Sequence, residues 1–252
     1  RLFEQQEELC RSIGSLSGVQ KALARQADVM WILGDYDAVE ELIRKQENLS
    51  IRLKSRDVEQ QIIGQKVKYI SDKFSPANQL KLLEEQEAIC RQIGNQQSLQ
   101  ECLCRKSHVL LKLKDKERAT AAVHEAEEIC RVYKIDLGLQ YCLGQKSHVY
   151  EERGEFSTAL EAAKEQKIFS QSIGYHPGFL YGLEREAWLL IKLGDYDRSA
   201  ACFEQLQQDA EVDAERLARS YYGQATALHK KGANEEARMA VLHGIKHYES
   251  LR

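Results

Sequence analysis

Three side chains near the middle of the chain are of types that could do chemistry. Cys104 and His108 lie one helical turn apart, and His148 follows His108 by one 40-residue period. Thiolates and imidazoles bind zinc, and a cysteine close to a histidine can act as a nucleophile. No further zinc ligand, oxyanion site or phosphate loop of the form Gly-x-x-x-x-Gly-Lys is evident in the sequence. We therefore predict no metal, no cofactor and no enzymatic activity.

Both histidines belong to a repeat of 40 residues. Lys-Ser-His-Val occurs at 106–109 and again at 146–149, and Ile-Cys-Arg occurs at 89–91 and again at 129–131. A fixed period of this length is typical of a solenoid, in which each repeat buries its apolar face only against its neighbours. Duplication of one repeat therefore explains the two histidines without a ligand role.

Each period contains two predicted helices joined by a tight turn. An apolar stripe through Leu23, Ala27 and Met30 stops at Gly34, which suits a left-handed helix end, and Asp35 can cap the helix that follows. The pattern predicts first helices near 19–33, 59–73, 97–113, 137–153, 177–193 and 215–231. It predicts second helices near 36–53, 77–93, 116–133, 156–173, 196–209 and 235–250, with 1–13 as the second helix of a preceding repeat.

The repeat is irregular in three places. The segments 74–76 and 114–116 lack the glycine of the other turns, so we expect those two turns to be built differently. The step from Gly194 to Gly232 is 38 residues instead of 40, which indicates that two residues are lost near 209–213.

The composition describes a well-solvated protein with an apolar core. Of its 252 residues, 43% are hydrophobic and 30% are charged, and the net charge of -3 does not favour nucleic acid or anionic membranes as partners. No run of about 18 apolar residues predicts membrane insertion. Several of the seven cysteines occupy equivalent repeat positions, unlike a disulfide framework, so we expect reduced thiols and a cytoplasmic location. Because Arg1 already lies in a helical pattern, we expect residues 1–252 to form one solenoid domain of a longer repeat protein.

The pattern resembles the tetratricopeptide repeat (TPR) over essentially the whole chain. That family places small residues on both helices around a Gly-Asp-aromatic turn. Here the turns are 34–36, 154–156 and 194–196, and the small residues are Ala27, Ser107, Ser147, Ala187 and Ala225 on first helices and Ala119, Ala159, Ser199 and Ala237 on second helices. The 40-residue period is longer than the usual TPR and is similar to the repeats of kinesin light chain and of spindle-polarity scaffolds. The resemblance implies an all-α, right-handed superhelix of about six antiparallel helix pairs plus an N-terminal orphan helix.

The resemblance also implies that the first helices line a concave groove in which a ligand would bind. We take the groove side chains from fixed positions before each turn, on the face opposite the core. The candidate binding residues are Asp28, Trp31, Lys68, His108, Lys112, Tyr141, His148, Glu152, Tyr181, Glu184, Trp188, Lys192, Arg219, Tyr222, His229 and Lys230. Tyrosine and tryptophan, concentrated in the C-terminal half, often anchor partners, although such aromatics also pack between repeats. The Lys and Asn pair with which some family members grip a C-terminal carboxylate is absent, so that binding mode is not expected.

We therefore expect a non-catalytic scaffold that binds a peptide or a partner protein in its concave groove. An alternative is a sensor or regulatory arm of a larger signalling protein, such as a nucleotide-driven switch or a kinase, whose catalytic part lies outside this chain. A third hypothesis is self-association through stacked solenoid ends, which expose apolar faces. The Glu- and Gln-rich stretches of the second helices, at 5–8, 46–47 and 84–87, would form either a solvated outer face or an acidic ridge for a basic partner.

Overall fold

The computed structural model describes residues 1–69, 73–209 and 211–249, and helices account for most of this part of the chain. Its thirteen helices are α1 (Leu2–Ser12), α2 (Leu16–Ile32), α3 (Tyr36–Leu53), α4 (Arg56–Tyr69), α5 (Pro76–Ile93), α6 (Gln96–Lys112), α7 (Lys116–Tyr133), α8 (Asp136–Arg153), α9 (Phe156–Ser172), α10 (His176–Leu193), α11 (Tyr196–Gln208), α12 (Ala214–Lys231) and α13 (Asn234–Glu249). No helix of the described ranges is both long and apolar enough to cross a membrane.

The all-α prediction is confirmed helix by helix. Each helix predicted from the 40-residue period is present, and each described helix start lies within three residues of its prediction. The predicted helical positions 70–72 and 250 lie outside the described residues. So does position 210, inside the segment where two residues were predicted to be lost.

Left-handed residues end most of the first helices, as the glycines predicted. Gly34 has a φ of 77°, a conformation that glycine adopts without a Cβ penalty. The Asp35 side chain then accepts a hydrogen bond from the Ala38 amide at 3.0 Å and caps α3. At one of the two turns without glycine, Ser75 caps α5 directly before Pro76.

The expectation that the turn at 114–116 is built differently is wrong. Lys114 itself adopts the left-handed conformation, with a φ of 64°. The Asp115 amide donates to the Leu110 carbonyl at 2.9 Å, which is the same closing hydrogen bond that Asp35 makes to Met30. A non-glycine residue at such a φ costs about 1 kcal/mol, which the retained hydrogen bonds and packing offset.

The chain forms two compact parts, unit 1 (1–115) and unit 2 (116–252). Within each unit, helices that are consecutive in sequence pack side by side, and all the small residues of the TPR pattern are buried. Apolar side chains fill the contacts, as in the cluster around Leu23 and Leu49 in unit 1 and the cluster around Leu183 and Phe203 in unit 2. The single domain expected over 1–252 stays a prediction.

A half-buried ion pair joins second helices to the first helix of the next repeat, 19 residues further along the chain. Glu87 of α5 accepts a hydrogen bond from Lys106 of α6 at 2.6 Å. In unit 2, Glu127 of α7 accepts one from Lys146 of α8 at 2.8 Å. The Glu47 and Lys66 side chains make the same pair between α3 and α4.

The polar pair changes its chemistry at other helix contacts but is not lost. Between α9 and α10 the two charges are exchanged, so that Lys167 on the second helix pairs with Glu186 on the first. Near the two ends of the chain, glutamine replaces one or both charged residues of the pair. Gln26 bonds to Glu7, and Gln207 bonds to Gln224. Complementarity between the two helices, rather than one residue type, is therefore kept at this position.

Two cations converge on the glutamate of the pair. Burial disfavours the ionised form of Glu127, but hydrogen bonds from Lys146 and Arg131 outweigh burial and hold its pKa below the ordinary value. Arg131 lies one turn along the same helix, with its Nη2 2.7 Å from a Glu127 carboxylate oxygen. The arginine of each repeated Ile-Cys-Arg, at 91 and 131, therefore contacts the glutamate of this ion pair. Because Gln86 is buried and Glu87 faces the next repeat, the interpretation of the stretch 84–87 as a solvated face or acidic ridge is wrong at 86–87, whereas Glu84 and Glu85 are exposed.

The exchanged pair of unit 2 offers a test of this complementarity. We expect Glu186→Lys alone to place two lysines at one half-buried contact and to lower the free energy of unfolding by about 3 kcal/mol. Adding Lys167→Glu restores the glutamate-to-lysine order of the other repeats and should recover most of the loss. Urea unfolding followed by circular dichroism measures both variants. A double variant no more stable than Glu186→Lys alone would contradict complementarity.

Candidate functional site

A cavity of about 640 Å³ opens on the first-helix face of unit 1. Side chains of α2, α4 and α6 form most of it, and α1 and α5 complete it. We call it the unit 1 cavity; it is lined by the glutamines Gln6, Gln60, Gln61, Gln65 and Gln86, the charged residues Lys21, Arg25, Asp28, Lys68, Glu101 and Arg105, and Phe3, Ala24, Gly64, Tyr69 and Ser98. Four cations thus face two anions.

Two buried glutamines, Gln60 of α4 and Gln86 of α5, contribute amide groups to this lining. The Gln60 Nε2 lies 3.1 Å from an Asp57 carboxylate oxygen, and a carboxylate can only accept, so this contact fixes the orientation of the Gln60 amide. Gln60 Oε1 is then directed to Gln86, whose Nε2 donates to it at 3.3 Å. This leaves Gln86 Oε1 without a donor among the described residues, although the Gln86 side chain is only 3% exposed.

A hydrogen-bonded group of side chains forms the charged part of the lining. Tyr69 donates to the Asp28 carboxylate, and burial together with this hydrogen bond raises the pKa of the Tyr69 hydroxyl. Lys68 donates to the Tyr69 hydroxyl oxygen at 2.8 Å and lies over the Trp31 ring, 5.8 Å from its centroid. Arg25 Nη1 lies 3.4 Å from a carboxylate oxygen of Asp28. Lys68 Nζ also lies 4.0 Å from Asp28 Oδ1, so Asp28 is held by three partners and the wall is preorganised.

The structure brings together three of the predicted groove residues of unit 1. Asp28 and Lys68 line the cavity, and Trp31 packs beside Tyr69 with ring centroids 5.5 Å apart. His108 and Lys112 are exposed on α6 but are not among the residues that line the cavity.

Sequence reasoning missed Arg25, Arg105 and Gln86. The positions taken for the predicted groove were 24 and 104, whereas the arginines that line the cavity are one residue further along the chain. Cys104 itself is fully buried. Gln86 was missed because polar residues of second helices were assigned to the outer face. The available signal was the recurrence of glutamine in step with the repeat, at positions 6, 46, 86 and 166.

Unit 2 has an aromatic face on its first helices, formed by Tyr181 and Trp188 of α10 and Tyr222 of α12. The rings of Trp188 and Tyr222 lie 6.0 Å apart, and the Arg185 guanidinium lies 6.0 Å from the centroid of the Tyr181 ring. Trp188 also meets Phe203 edge to face at 5.2 Å and packs against the core cluster of unit 2. Trp188 is thus shared between the core and the surface, whereas Tyr222 is 66% exposed.

Between the aromatic side chains, Glu184 is held by two arginines. Arg216 and Arg219 of α12 each place their Nε atom 3.2 Å from a Glu184 carboxylate oxygen. Glu184 is well buried in these contacts, so it serves the packing of α10 on α12 and presents little free carboxylate to a ligand.

The remaining predicted groove residues of unit 2 differ in exposure. Burial and the nearby Arg185 guanidinium lower the pKa of the half-buried His148. His229 and Lys230 line a second cavity of about 660 Å³ together with Tyr222 and Arg238. Exposed side chains are Tyr141, Glu152, Lys192, Arg219, His229 and Lys230.

The cysteine and histidine side chains that could have bound a metal or acted as nucleophiles do not form such a site in the described ranges. Cys104 is fully buried in α6 and all seven cysteines are unbridged. Within the ranges the structure describes, no group of three or more His, Cys, Asp and Glu side chains could hold a metal ion.

The double role of Trp188 predicts how the aromatic face responds to mutation. We expect Trp188→Ala to lower the free energy of unfolding by about 3 kcal/mol, because it leaves a cavity beside Phe203. Tyr222→Ala should change it by less than about 0.5 kcal/mol, because that ring is mostly in solvent. Thermal unfolding of the two variants measures the difference. Equal stability of the two would show that Trp188 does not support the core.

Comparisons with known proteins match this architecture. Residues 183–208, in α10 and α11, match the family model of the tetratricopeptide repeat. A sequence search of curated proteins finds no match.

Solved structures share the fold at low sequence identity. A signal-transduction ATPase with numerous domains (STAND) and a TPR sensor, from Pyrococcus horikoshii, has a TM-score of 0.72 and 14% identity; the match covers 92% of this chain but only 36% of that one. The putative kinesin light chain repeats of Podosopora anserina have a TM-score of 0.62 and 14% identity, and the match covers 79% of this chain and 96% of that one. NprR in complex with its cognate peptide NprX has a TM-score of 0.63 and 17% identity, and the match covers 90% of this chain and 66% of that one.

The fold and the repeated helix contacts define a helical solenoid of the repeat-protein class. The chain contains a tetratricopeptide repeat at 183–208 and has the TPR-like fold, and the resemblance to kinesin light chain repeats is confirmed. The resemblance to spindle-polarity scaffolds stays a prediction.

Proposed function

We propose that this chain is a non-catalytic binding module that holds a peptide segment or a partner protein against its first helices. The observation that carries the proposal is the unit 1 cavity. Its volume of about 640 Å³ is within the range of ligand sites, and its lining offers hydrogen-bonding amides beside charged groups. A neighbour of the same fold, NprR, was solved in complex with its cognate peptide NprX, which supports a peptide as the kind of ligand.

The aromatic face of unit 2 is a further contact surface in this proposal. Tyr181 and Tyr222 offer a large, amphipathic contact area, which is what anchor residues at interfaces supply. The predicted residues of that face therefore stay candidates for partner binding, with Glu184 and Trp188 acting mainly through packing.

Filling the unit 1 cavity should remove binding. We expect linear peptides selected on this protein from a displayed random library to lose affinity by about tenfold or more for Ala24→Phe, because the added ring occupies the cavity. Fluorescence anisotropy of the synthesised peptides gives the dissociation constants.

The matched control is Ala77→Phe, which adds the same ring at an exposed position of α5 outside the cavity lining. Its affinity should equal that of the unaltered protein. Selected peptides that bind Ala24→Phe undiminished would locate binding elsewhere, and a failure to select any peptide would count against the peptide-binding function.

A second proposal is that the chain is the sensor arm of a larger signalling protein. The STAND protein with a TPR sensor favours it, since this chain matches 92% of its own length to about a third of that protein (36%). The test is the full reading frame that encodes this chain. A phosphate-loop motif in the same frame would support a nucleotide-driven switch, and a frame holding only repeats would exclude one.

A further inference from the structure

We propose that the unit 1 cavity recognises an acidic peptide segment, with a ligand N–H donating to Gln86 and a ligand carboxylate placed between Arg25 and Arg105. This inference rests on the proposed function and names its ligand class. Three features of the cavity carry it: the oriented amide of Gln86, the space left by Gly64, and the excess of cations.

The hydrogen-bond chain behind the cavity decides what Gln86 offers to a ligand. Asp57 accepts from the Gln60 amide nitrogen, so Gln60 turns its oxygen to the Gln86 amide nitrogen. Turning the Gln86 amide over would place two carbonyl oxygens together, so the network holds it in the orientation described. Gln86 Oε1 is therefore a fixed, buried acceptor without a donor among the described residues, as is Gln166 Oε1 in the equivalent pair of unit 2. Of these two glutamines, Gln86 lines the unit 1 cavity, where an N–H of a ligand would supply the missing donor.

Gly64 makes the Gln86 amide part of the cavity. A Cβ at position 64 would lie 2.7 Å from Gln86 Nε2, so the amide would have to shift from its present place, and 3.5 Å from Arg105 Nη1. The missing side chain thus places the buried amide and the Arg105 guanidinium at one spot. A ligand group that reaches Gln86 also comes within range of Arg105.

The charges of the cavity call for an anion. Lys21, Arg25, Lys68 and Arg105 face Asp28 and Glu101. Arg105 contacts Glu101 through Nη2 at 3.3 Å and Arg25 contacts Asp28 through Nη1, which leaves their other donors without a partner among the described side chains. Lys21 has no ion-pair partner in the described part of the chain. Guanidinium groups with unused donors favour carboxylates, which they can bind through two parallel hydrogen bonds.

A peptide meets both requirements at once. A fully ionised phosphate ester or sulfate supplies acceptors only and leaves Gln86 Oε1 unpaired. An extended peptide supplies a backbone N–H at each residue other than proline, and an aspartate or glutamate next to that N–H supplies the carboxylate. The net charge of -3 gives the chain no general attraction for polyanions, so selectivity for an acidic ligand would be local to this cavity.

Selection from a displayed library of random linear peptides tests the charge requirement. Peptides selected on the protein should be enriched in aspartate and glutamate, and the Arg25→Gln, Arg105→Gln double variant should select peptides without that enrichment. Replacing the acidic residues of a synthesised selected peptide by asparagine and glutamine should weaken binding about tenfold or more at low salt, and less at high salt. Arg52→Gln, exposed on α3 outside the cavity, is the matched control and should bind normally.

Methylation of ligand amides tests the donor to Gln86. Among peptides N-methylated at one backbone amide each, one should lose about tenfold or more in affinity for the unaltered protein but no further affinity for Gln86→Met. Gln166→Met is the control, because Gln166 donates to Gln140 in an equivalent buried pair but does not line the unit 1 cavity. It should show the same loss on methylation as the unaltered protein.

The outcomes separate this inference from the proposed function. Selected peptides that lose affinity for Ala24→Phe but tolerate amide replacement of their acidic residues would overturn the acidic-ligand inference and leave the binding function intact. A methylation loss that persists in Gln86→Met would overturn the role of Gln86. A protein that selects no peptides at all would overturn this inference together with the peptide-binding function.

Discussion

The stacking of the repeats depends on a polar dipeptide in the second helices, whose two side chains bond in opposite directions along the chain. In α5, Gln86 bonds back to Gln60 on the preceding first helix, and Glu87 bonds forward to Lys106 on the following one. The same arrangement holds around α9, where Gln166 bonds to Gln140 and Lys167 to Glu186. Each of these helices is fixed on both sides by directional contacts, which apolar packing alone does not supply. A shift of one residue would bury an unpaired charge, a cost of several kcal/mol.

The candidate site follows from the same constraint. The glutamine must reach across to the preceding first helix, and Gly64 leaves the space for its amide. In unit 1 the glutamine held in this way also belongs to the lining of a cavity. A contact that stabilises the repeat thus supplies one hydrogen-bonding group of the ligand site, and the surrounding arginines add the charge.

The two units use their first helices differently. In unit 1 the face is polar and charged around a cavity, and its aromatic residues Trp31 and Tyr69 lie at the cavity's edge or in its lining. In unit 2 the face is aromatic, and its Glu184 is paired with Arg216 and Arg219. A repeat scaffold can vary in this way because core and turn positions set the stacking, while first-helix surface positions are free to differ.

The sequence by itself determined the helices, their turns and the fold class. Those features depend on local signals, namely apolar spacing, left-handed helix ends and caps, and they repeat every 40 residues, so one repeat supports the assignment of the next. It also placed Asp28 and Lys68 at the site. Only the tertiary structure decided that Gln86 and Glu87 face inward and that Trp188 belongs partly to the core. The reason is that a buried polar side chain depends on its partner, here 19 or 26 residues away on another helix, and no local pattern shows that the partner is in place.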